Sequence, residues 1–361
     1  MSENLGKLHG GEIEWAISKK YGIPIKKVIS FASTVSEIQT RKSHKIISKF
    51  NLLHLYPQKY PYKLIEILAQ GKRDLRSKII VGNGSEELIY LFAQAICREE
   101  VIIPIPTYSS YEVATKKYGI KNKFVRLGSD FDIDLDKIKD AVSNKTSAIF
   151  LCNPNNPTGK LYSKNSVLEL AKLAKEEGIK LLIDENYLWF TEKKNRHSNI
   201  GLVNKYPVFV INGMSKFFGV PSLRLGWGIG NQEIVDEIRK FRVPWSVNSI
   251  AISVAEELLS KYKNDLRAYQ EFFEQKRIFH RKLSKLEGVH VFPSETNFFF
   301  IKILDERIDA KDIFEELAKK GIIVRDGSQI RGAGPRFLRV TVKDKGKNDV
   351  LVKNLEKLLS L

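Results

Sequence analysis

Lys216 stands in the stretch VFVINGMSKFFGVPSLRLGW, just beyond an apolar run and beside two phenylalanines. Burial among rings disfavours the ammonium form and lowers a lysine pKa, and the neutral amine is the form that makes an imine with a carbonyl compound. Most lysines are simply solvated, and taken alone Lys216 would be read as one of them. Asp184 ends the run KLLID, where an ionised carboxylate is costly without a partner. A protonated heterocyclic nitrogen would be such a partner, and backbone N–H groups would be another. Arg339 lies inside FLRVTV, and an apolar strand tolerates a guanidinium only when an anion holds it. A substrate carboxylate bound bidentately would serve, as would a structural ion pair.

Two turns add binding chemistry. Gly82-Asn83-Gly84-Ser85-Glu86 separates a strand pattern from a helix pattern, so a phosphate could rest on the amides of Ser85 and Glu86 at the positive end of the helix. A glycine turn before a capped helix is by itself ordinary. Leu151-Cys152-Asn153-Pro154-Asn155-Asn156-Pro157-Thr158-Gly159 is stiffened by its prolines and holds asparagine amides that can donate to a ligand oxygen.

These turns need elements that bring them together. From about residue 64 the chain alternates helical and strand patterns: LIEILAQ, KIIVG, SEELIYLFAQAI, EVIIP, SYEVATKKYG, KFVRL, SAIFLCN, SVLELAKLAKEEG, KLLIDE and VFVING. Such alternation predicts an α/β fold with a mostly parallel sheet and helices on both faces, and ligands at the carboxyl ends of its strands. After LRLGWGIG the pattern turns to long helices over 231–285, interrupted near VPWSVN. The strand candidates VHVFPS, NFFFIKI, IIVRD and FLRVTV then alternate with the helices IFEELAKKG and DVLVKNLEKLLS, as in a smaller α+β domain. We expect an arm and first helix over 1–44 that pack with the small domain, a large domain over 45–245 and a small domain over 246–361.

Composition narrows the class. The 361 residues are 43% hydrophobic, enough for a large core and a satellite domain. Lys+Arg of 60 against Asp+Glu of 42 gives a net charge of +18, but acids intersperse the basic residues, the pattern of solvated helix faces rather than of a nucleic-acid-binding tail. Cys97 and Cys152 both sit in apolar segments, which suits packed thiols in a reducing compartment. No signal core opens the chain, and no apolar run reaches the roughly 18 residues that span a bilayer. A cytoplasmic location without membrane attachment is expected. The six histidines are scattered without metal-ligand spacing, so no metal site is expected.

The motifs GNGSEELI, PTYSSYE, CNPNNPTG, DENY, SKFFGVPSLRLG and FLRVTV, in this order, resemble the class I/II aminotransferase family along nearly the whole chain. The branch most similar contains histidinol-phosphate aminotransferase and the threonine-phosphate decarboxylase of cobalamin synthesis. The resemblance implies a three-layer fold of the pyridoxal-phosphate (PLP) transferase fold type I, with PLP as cofactor. It implies that Lys216 holds PLP as a Schiff base and then moves the α-proton. It pairs Asp184 with the pyridine nitrogen, places Asn156 and Tyr187 on the phenolic oxygen, and stacks Tyr108 on the ring. The phosphate would rest in the Gly84 turn on Ser85 and Glu86, with Ser215 and Arg224 completing the cup. Tyr56, in HLYPQKYP, resembles the tyrosine that reaches the neighbouring subunit's phosphate, which implies a homodimer. Arg339 resembles the arginine that clamps the substrate α-carboxylate. One position departs: the serine or threonine usual three residues before the lysine is Gly213, which removes a phosphate contact of about 1.5 to 3 kcal/mol.

Two reactions fit this pattern. Leu8-His9-Gly10-Gly11, the segment Lys216-Phe217-Phe218 with Pro221, and Arg325-Asp326-Gly327-Ser328-Gln329-Ile330-Arg331-Gly332 resemble the decarboxylase, in which residues matching His9 and Arg331 help bind an anionic substrate. The decarboxylase segment DFSANINP is replaced by Ser30-Phe31-Ala32-Ser33-Thr34-Val35-Ser36, and Tyr187 matches the aminotransferase form DEAY. The expectation is an aminotransferase acting on an amino acid or amino-phosphate with a distal anionic group, with a 2-oxo acid such as 2-oxoglutarate as the second substrate. Threonine-phosphate decarboxylation is the alternative. A regulator that keeps the domain for ligand sensing would carry an added DNA-binding domain, and Lys216, Asp184 and Arg339 argue for chemistry.

Overall fold

The computed structural model describes residues 12–37, 47, 50–51, 53–192, 197–261 and 266–360. They divide into two compact units. The larger takes 35–155 and 161–266; the smaller takes the described residues up to Thr34, Asn156–Lys160 and those from 267 on.

A seven-stranded sheet in the order β2-β8-β7-β6-β5-β3-β4 organises the larger unit. Its strands are β2 (Ile79–Gly82), β3 (Glu100–Ile105), β4 (Lys121–Arg126), β5 (Thr146–Cys152), β6 (Lys180–Asp184), β7 (Val208–Gly213) and β8 (Gly226–Gly230). Strands β4, β3, β5, β6 and β7 are mutually parallel, while β8 runs antiparallel to both β7 and β2. Runs such as EVIIPI and VFVING are buried throughout, as strands covered on both faces must be. Helix α3 (Gly84–Ala95) turns Leu88, Leu91, Phe92 and Ala95 inward. Phe92 stacks on Phe209 at 5.9 Å and meets Phe150 edge-on at 5.5 Å.

Strand β8 is not among the expected elements, for a reason of space. Its sequence, GWGIG, lacks β-branched alternation because a Cβ at Gly228 would stand 2.1 Å from the Phe209 ring. Helix α5 (Leu135–Ala141) was also not anticipated; it is short and opens on an Asp134 cap that accepts from the Lys137 N–H. The other helices of this unit are α2 (Tyr62–Ala69), α4 (Ser110–Lys117), α6 (Lys164–Glu176), α7 (Gln232–Phe241) and α8 (Ser249–Lys261). Residues 246–266 therefore belong with the larger unit rather than with the small domain, as the expected boundary had it. Helix α8 packs on α2, with an ion pair between Lys63 and Glu256 at 3.0 Å.

The smaller unit holds an antiparallel sheet in the order β12-β13-β10-β9, formed by Arg325–Asp326, Phe337–Thr341, Phe298–Ile303 and Val289–Val291. Helices α9 (Leu266–Leu283, whose first residue falls in the larger unit), α10 (Ala310–Lys319) and α11 (Lys345–Leu359) accompany it. The expected strand IIVRD is split: β11 (Ile322–Ile323) pairs with β1 (Ile29–Ser30) in parallel, and β12 joins the larger of the two sheets. That pairing, with Phe31 6.4 Å from Phe279, fastens the segment after helix α1 (Glu12–Tyr21) to this unit.

Candidate active site

Because β2, β3, β5, β6 and β7 point the same way, the residues after their carboxyl ends share one edge of the sheet; β8 runs oppositely and brings its first residues to that edge. Ser85, Tyr108, Asp184 and Lys216, together with Arg224, therefore come together by topology.

The anion cradle is built at the start of α3. Gly84 adopts φ +82°, and Glu87 reaches back so that its carboxylate accepts from the Asn83 N–H at 2.6 Å. First-turn amides, here those of Ser85 and Glu86, have no acceptor within the helix. A Cβ at Gly84 would stand 2.4 Å from the Arg224 guanidinium, so the missing side chain is what admits the arginine. Arg224 itself sits at φ +53°, and its Nη1 donates to the Pro221 carbonyl (3.0 Å) and to Ser215 Oγ (3.3 Å). A Cβ at Gly226 would fall 2.3 Å from the Ser85 nitrogen, so β8 also needs glycine to pass the helix start. Amides, helix dipole, a serine hydroxyl and an exposed guanidinium converge as a phosphate site requires.

Asp184 is 3% exposed. Its Oδ1 accepts from the Asn186 backbone N–H (3.0 Å) and side-chain Nδ2 (2.7 Å), and its Oδ2 from the Tyr111 hydroxyl (2.8 Å). Burial nevertheless outweighs these bonds and raises the carboxyl pKa. A buried acid in this state gains from a cationic N–H, and a pyridinium nitrogen supplies one. Tyr108 donates to Glu86 at 3.1 Å and meets the Tyr111 ring edge-on at 5.6 Å; burial first, then the Glu86 charge, holds its phenol protonated. Tyr187 is buried after β6. Lys216 is half-buried, and its carbonyl accepts from the Ser36 N–H. The neighbouring Phe217 and Phe218 pack against Trp189 at 5.9 and 4.8 Å, the aromatic setting read from the sequence.

Asn156 and Arg339 lie in the smaller unit. Asn156 Oδ1 accepts from Arg339 Nη1, and Arg339 Nη2 donates to the Ala32 carbonyl at 2.6 Å. The guanidinium also lies 5.1 Å over the Phe298 ring. Arg331 is exposed in the turn before β13, whereas His9 lies outside the described residues. Tyr56, in the larger unit, is 85% exposed.

Sequence reasoning passed over four residues. Tyr111 was inside PTYSSYE, but nothing in the pattern tells a core tyrosine from one that serves Asp184. Glu185 is fully buried, with Oε1 accepting from the Asn199 N–H (2.6 Å) and Nδ2 (2.9 Å) and Oε2 from Ser198 (2.9 Å); burial pushes its carboxyl up to about 7. Arg325 is directly opposite Arg339 across β12 and β13, and both are buried. The two arginines stand on separate strand patterns, and the register of β12 on β13 sets them opposite each other. Asn186 ties Asp184 to Ser85, and DENY differs from DEAY at just that residue. Among the described residues no helix is long and apolar enough to cross a membrane, and no group of acids, histidines and cysteines could hold a metal ion.

An anion cradle, a buried acid and a lysine at one edge of a parallel sheet define a PLP-binding α/β enzyme of fold type I. The chain matches the family model for aminotransferase class I and II over residues 32–355 and belongs to that family. PLP is its cofactor, and the residues present fit that group: the Ser85 and Glu86 amides with Ser215 and Arg224 could take a phosphate, and Asp184 a protonated ring nitrogen. The chain is 32% identical over 311 residues to a putative threonine-phosphate decarboxylase of Caldanaerobacter subterraneus subsp. tengcongensis, covering 85% of this chain and 83% of that protein. It is 31% identical over 345 residues to a histidinol-phosphate aminotransferase of Thermoanaerobacter sp., covering 94% and 95%. The crystal structure of the histidinol-phosphate aminotransferase from Clostridium acetobutylicum superposes with a TM-score of 0.82 at 26% identity, covering 92% of this chain and 99% of that one. L-threonine-O-3-phosphate decarboxylase from Porphyromonas gingivalis gives 0.81 at 25%, covering 92% and 100%.

Proposed function

We propose that this enzyme transfers an amino group between an amino substrate carrying a distal phosphate or acidic group and a 2-oxo acid. The observation that carries the substrate class is the Arg325–Arg339 pair. Directly opposed residues of antiparallel strands point to the same face, so two buried guanidinium groups concentrate positive charge there. A phosphate ester or second carboxylate would be bound there by charge-assisted hydrogen bonds, which a neutral side chain does not form. PLP, when bound, supplies an electron sink for the α-carbon. The chain's residues do the rest: Asp184 keeps the pyridine nitrogen protonated, and Asn156 and Tyr187 serve the phenolic oxygen. Tyr108 covers the ring, Lys216 Nζ moves the α-proton, and Arg339 with Arg325 binds the substrate's anionic groups. His9 and Arg331 are assigned to the distal anion.

Phosphothreonine decarboxylation is the second reading, favoured by the 32% identical relative that bears that name. Supplying phosphothreonine without any keto acid separates the two. Carbon dioxide released over many turnovers establishes the decarboxylase, whereas one stoichiometric half-reaction that resumes only with 2-oxoglutarate establishes the transaminase.

We further propose a homodimer in which Tyr56 serves the neighbouring site. Tyr56 lies 5.7 Å from Trp245, and both rings are exposed, as are the large apolar side chains of Leu53, Tyr62 and Val243, which a partner subunit would cover. A cytoplasmic location fits the two cysteines, both buried and outside any disulfide, with burial raising the Cys97 pKa.

A further inference from the structure

Gly213 ends β7 in ordinary extended backbone, so no left-handed φ asks for glycine there. Space does. A Cβ at Gly213 would stand 2.9 Å from Asn186 Oδ1, and 3.4 Å from both Ser85 Oγ and the Leu225 carbonyl. The Asn186 amide occupies this volume and cannot easily yield it. Its Nδ2 donates to Asp184 Oδ1 at 2.7 Å and to Ser85 Oγ at 2.9 Å, its own N–H donates to Asp184 Oδ1 at 3.0 Å, and the residue is 7% exposed. One short side chain thus fills the place beside Gly213 and joins the acid of the pyridine nitrogen to the serine of the anion cradle.

We propose that Asn186 and Gly213 are a compensated pair, in which the Asn186 amide takes the room of the hydroxyl side chain missing at 213 and acts as a positioning residue coupling Asp184 to Ser85. The proposal rests on the assignment of those two residues to PLP. Asn186 touches no reacting atom in this account. It fixes the Asp184 carboxylate through two donors and holds the Ser85 hydroxyl at the helix start, so the two ends of the cofactor are registered by one group. Glycine at 213 is then a consequence of asparagine at 186, and restoring a hydroxyl at 213 should help only after the amide has been removed.

Four proteins test this: wild type, Asn186→Ala, Gly213→Ser and the double variant. Two quantities are read for each: the PLP dissociation constant, from titration of cofactor-free protein by tryptophan fluorescence, and the thermal midpoint of the cofactor-free protein. Each single variant is expected to bind PLP about tenfold more weakly, Asn186→Ala by losing the two hydrogen bonds of Nδ2, to Asp184 and to Ser85, and Gly213→Ser by displacing the amide. The double variant should bind within about threefold of wild type and more tightly than either single variant. Its cofactor-free thermal midpoint should likewise exceed that of Gly213→Ser, a packing readout independent of PLP. For Asn186→Ala, the affinity should also fall off at a higher pH on acidification, because Asp184 has lost the side-chain donor to its ionised form while keeping the backbone N–H and Tyr111; a purely space-filling residue would not move that limb. Single losses that multiply in the double variant, or wild-type affinity in Gly213→Ser, would overturn the pairing. An unmoved acid limb would overturn the coupling to Asp184.

Discussion

Replacing Glu185 by glutamine should stabilise the cofactor-free protein above neutral pH and leave it nearly unchanged in acid. The carboxyl is fully buried, and its pKa is pushed from 4.5 up to about 7, mainly by burial and against the three bonds from Ser198 and Asn199. A folded-state pKa above the unfolded one means that the fold holds this proton more tightly than the unfolded chain does. The stability contributed by the protonated form is therefore complete below about pH 4.5 and is lost as the pH rises through about 7. A rise of this size corresponds to about 3 kcal/mol, an order-of-magnitude figure for a buried group. Glutamine is always neutral, its Oε1 can accept from Asn199, and its Nε2 can donate to Ser198. Urea unfolding of both proteins at pH 5 and pH 8, followed by tryptophan fluorescence, reads the difference directly. The variant should gain up to about 3 kcal/mol over wild type at pH 8, and most of that gain should vanish at pH 5. An equal gap at both pH values would show that Glu185 does not titrate in this window, and a variant less stable at pH 8 would refute the reasoning.

Tyr111→Phe removes one donor to Asp184 and should weaken PLP about tenfold, with the loss greatest on the acid side, because the carboxyl pKa rises further; a cofactor titration from pH 5.5 to 8 checks this. Arg325→Lys should raise the KM for an anionic donor at least tenfold with a smaller effect on kcat, since lysine lacks the planar fork, and a neutral donor should be affected far less. Tyr56→Asp, within the exposed apolar surface, should shift the protein toward monomer in sedimentation velocity and weaken PLP together with it; an unchanged dimer would remove that surface from the interface.

The alternation of apolar strands and amphipathic helices made the parallel sheet legible, and the residues ending its strands could be read as the site because such sheets place ligands at one edge. Strand β8 escaped because Gly228 and Gly230 answer to Phe209 and Gly226 to the start of α3, neighbours whose positions only the folded sheet fixes. Asp184 and Lys216 were readable as single positions. Their supports were not: Tyr111 and the Asn186–Ser85 bond act across long stretches of chain, and Arg325 acts through a strand register that the pattern alone does not fix. The boundary near residue 245 was misplaced for a related reason, since helix periodicity shows that α8 has an apolar face but not that α2 covers it. Gly213 is the instructive case. Sequence alone counts it as a lost contact, and the structure shows the space already taken by the Asn186 amide.

Whether Lys216 carries PLP for amino transfer on anionic substrates is read from an absorbance spectrum. Purified protein with PLP should show the visible band of lysine-bound cofactor, absent in Lys216→Ala. Glutamate, aspartate, histidinol phosphate and phosphothreonine are then added in turn. An anionic donor should bleach the band to the shorter-wavelength pyridoxamine form, and a 2-oxo acid should restore it. A band retained in Lys216→Ala, or no band in the wild type, would contradict the role of the lysine. A band that persists while carbon dioxide is released would contradict amino transfer.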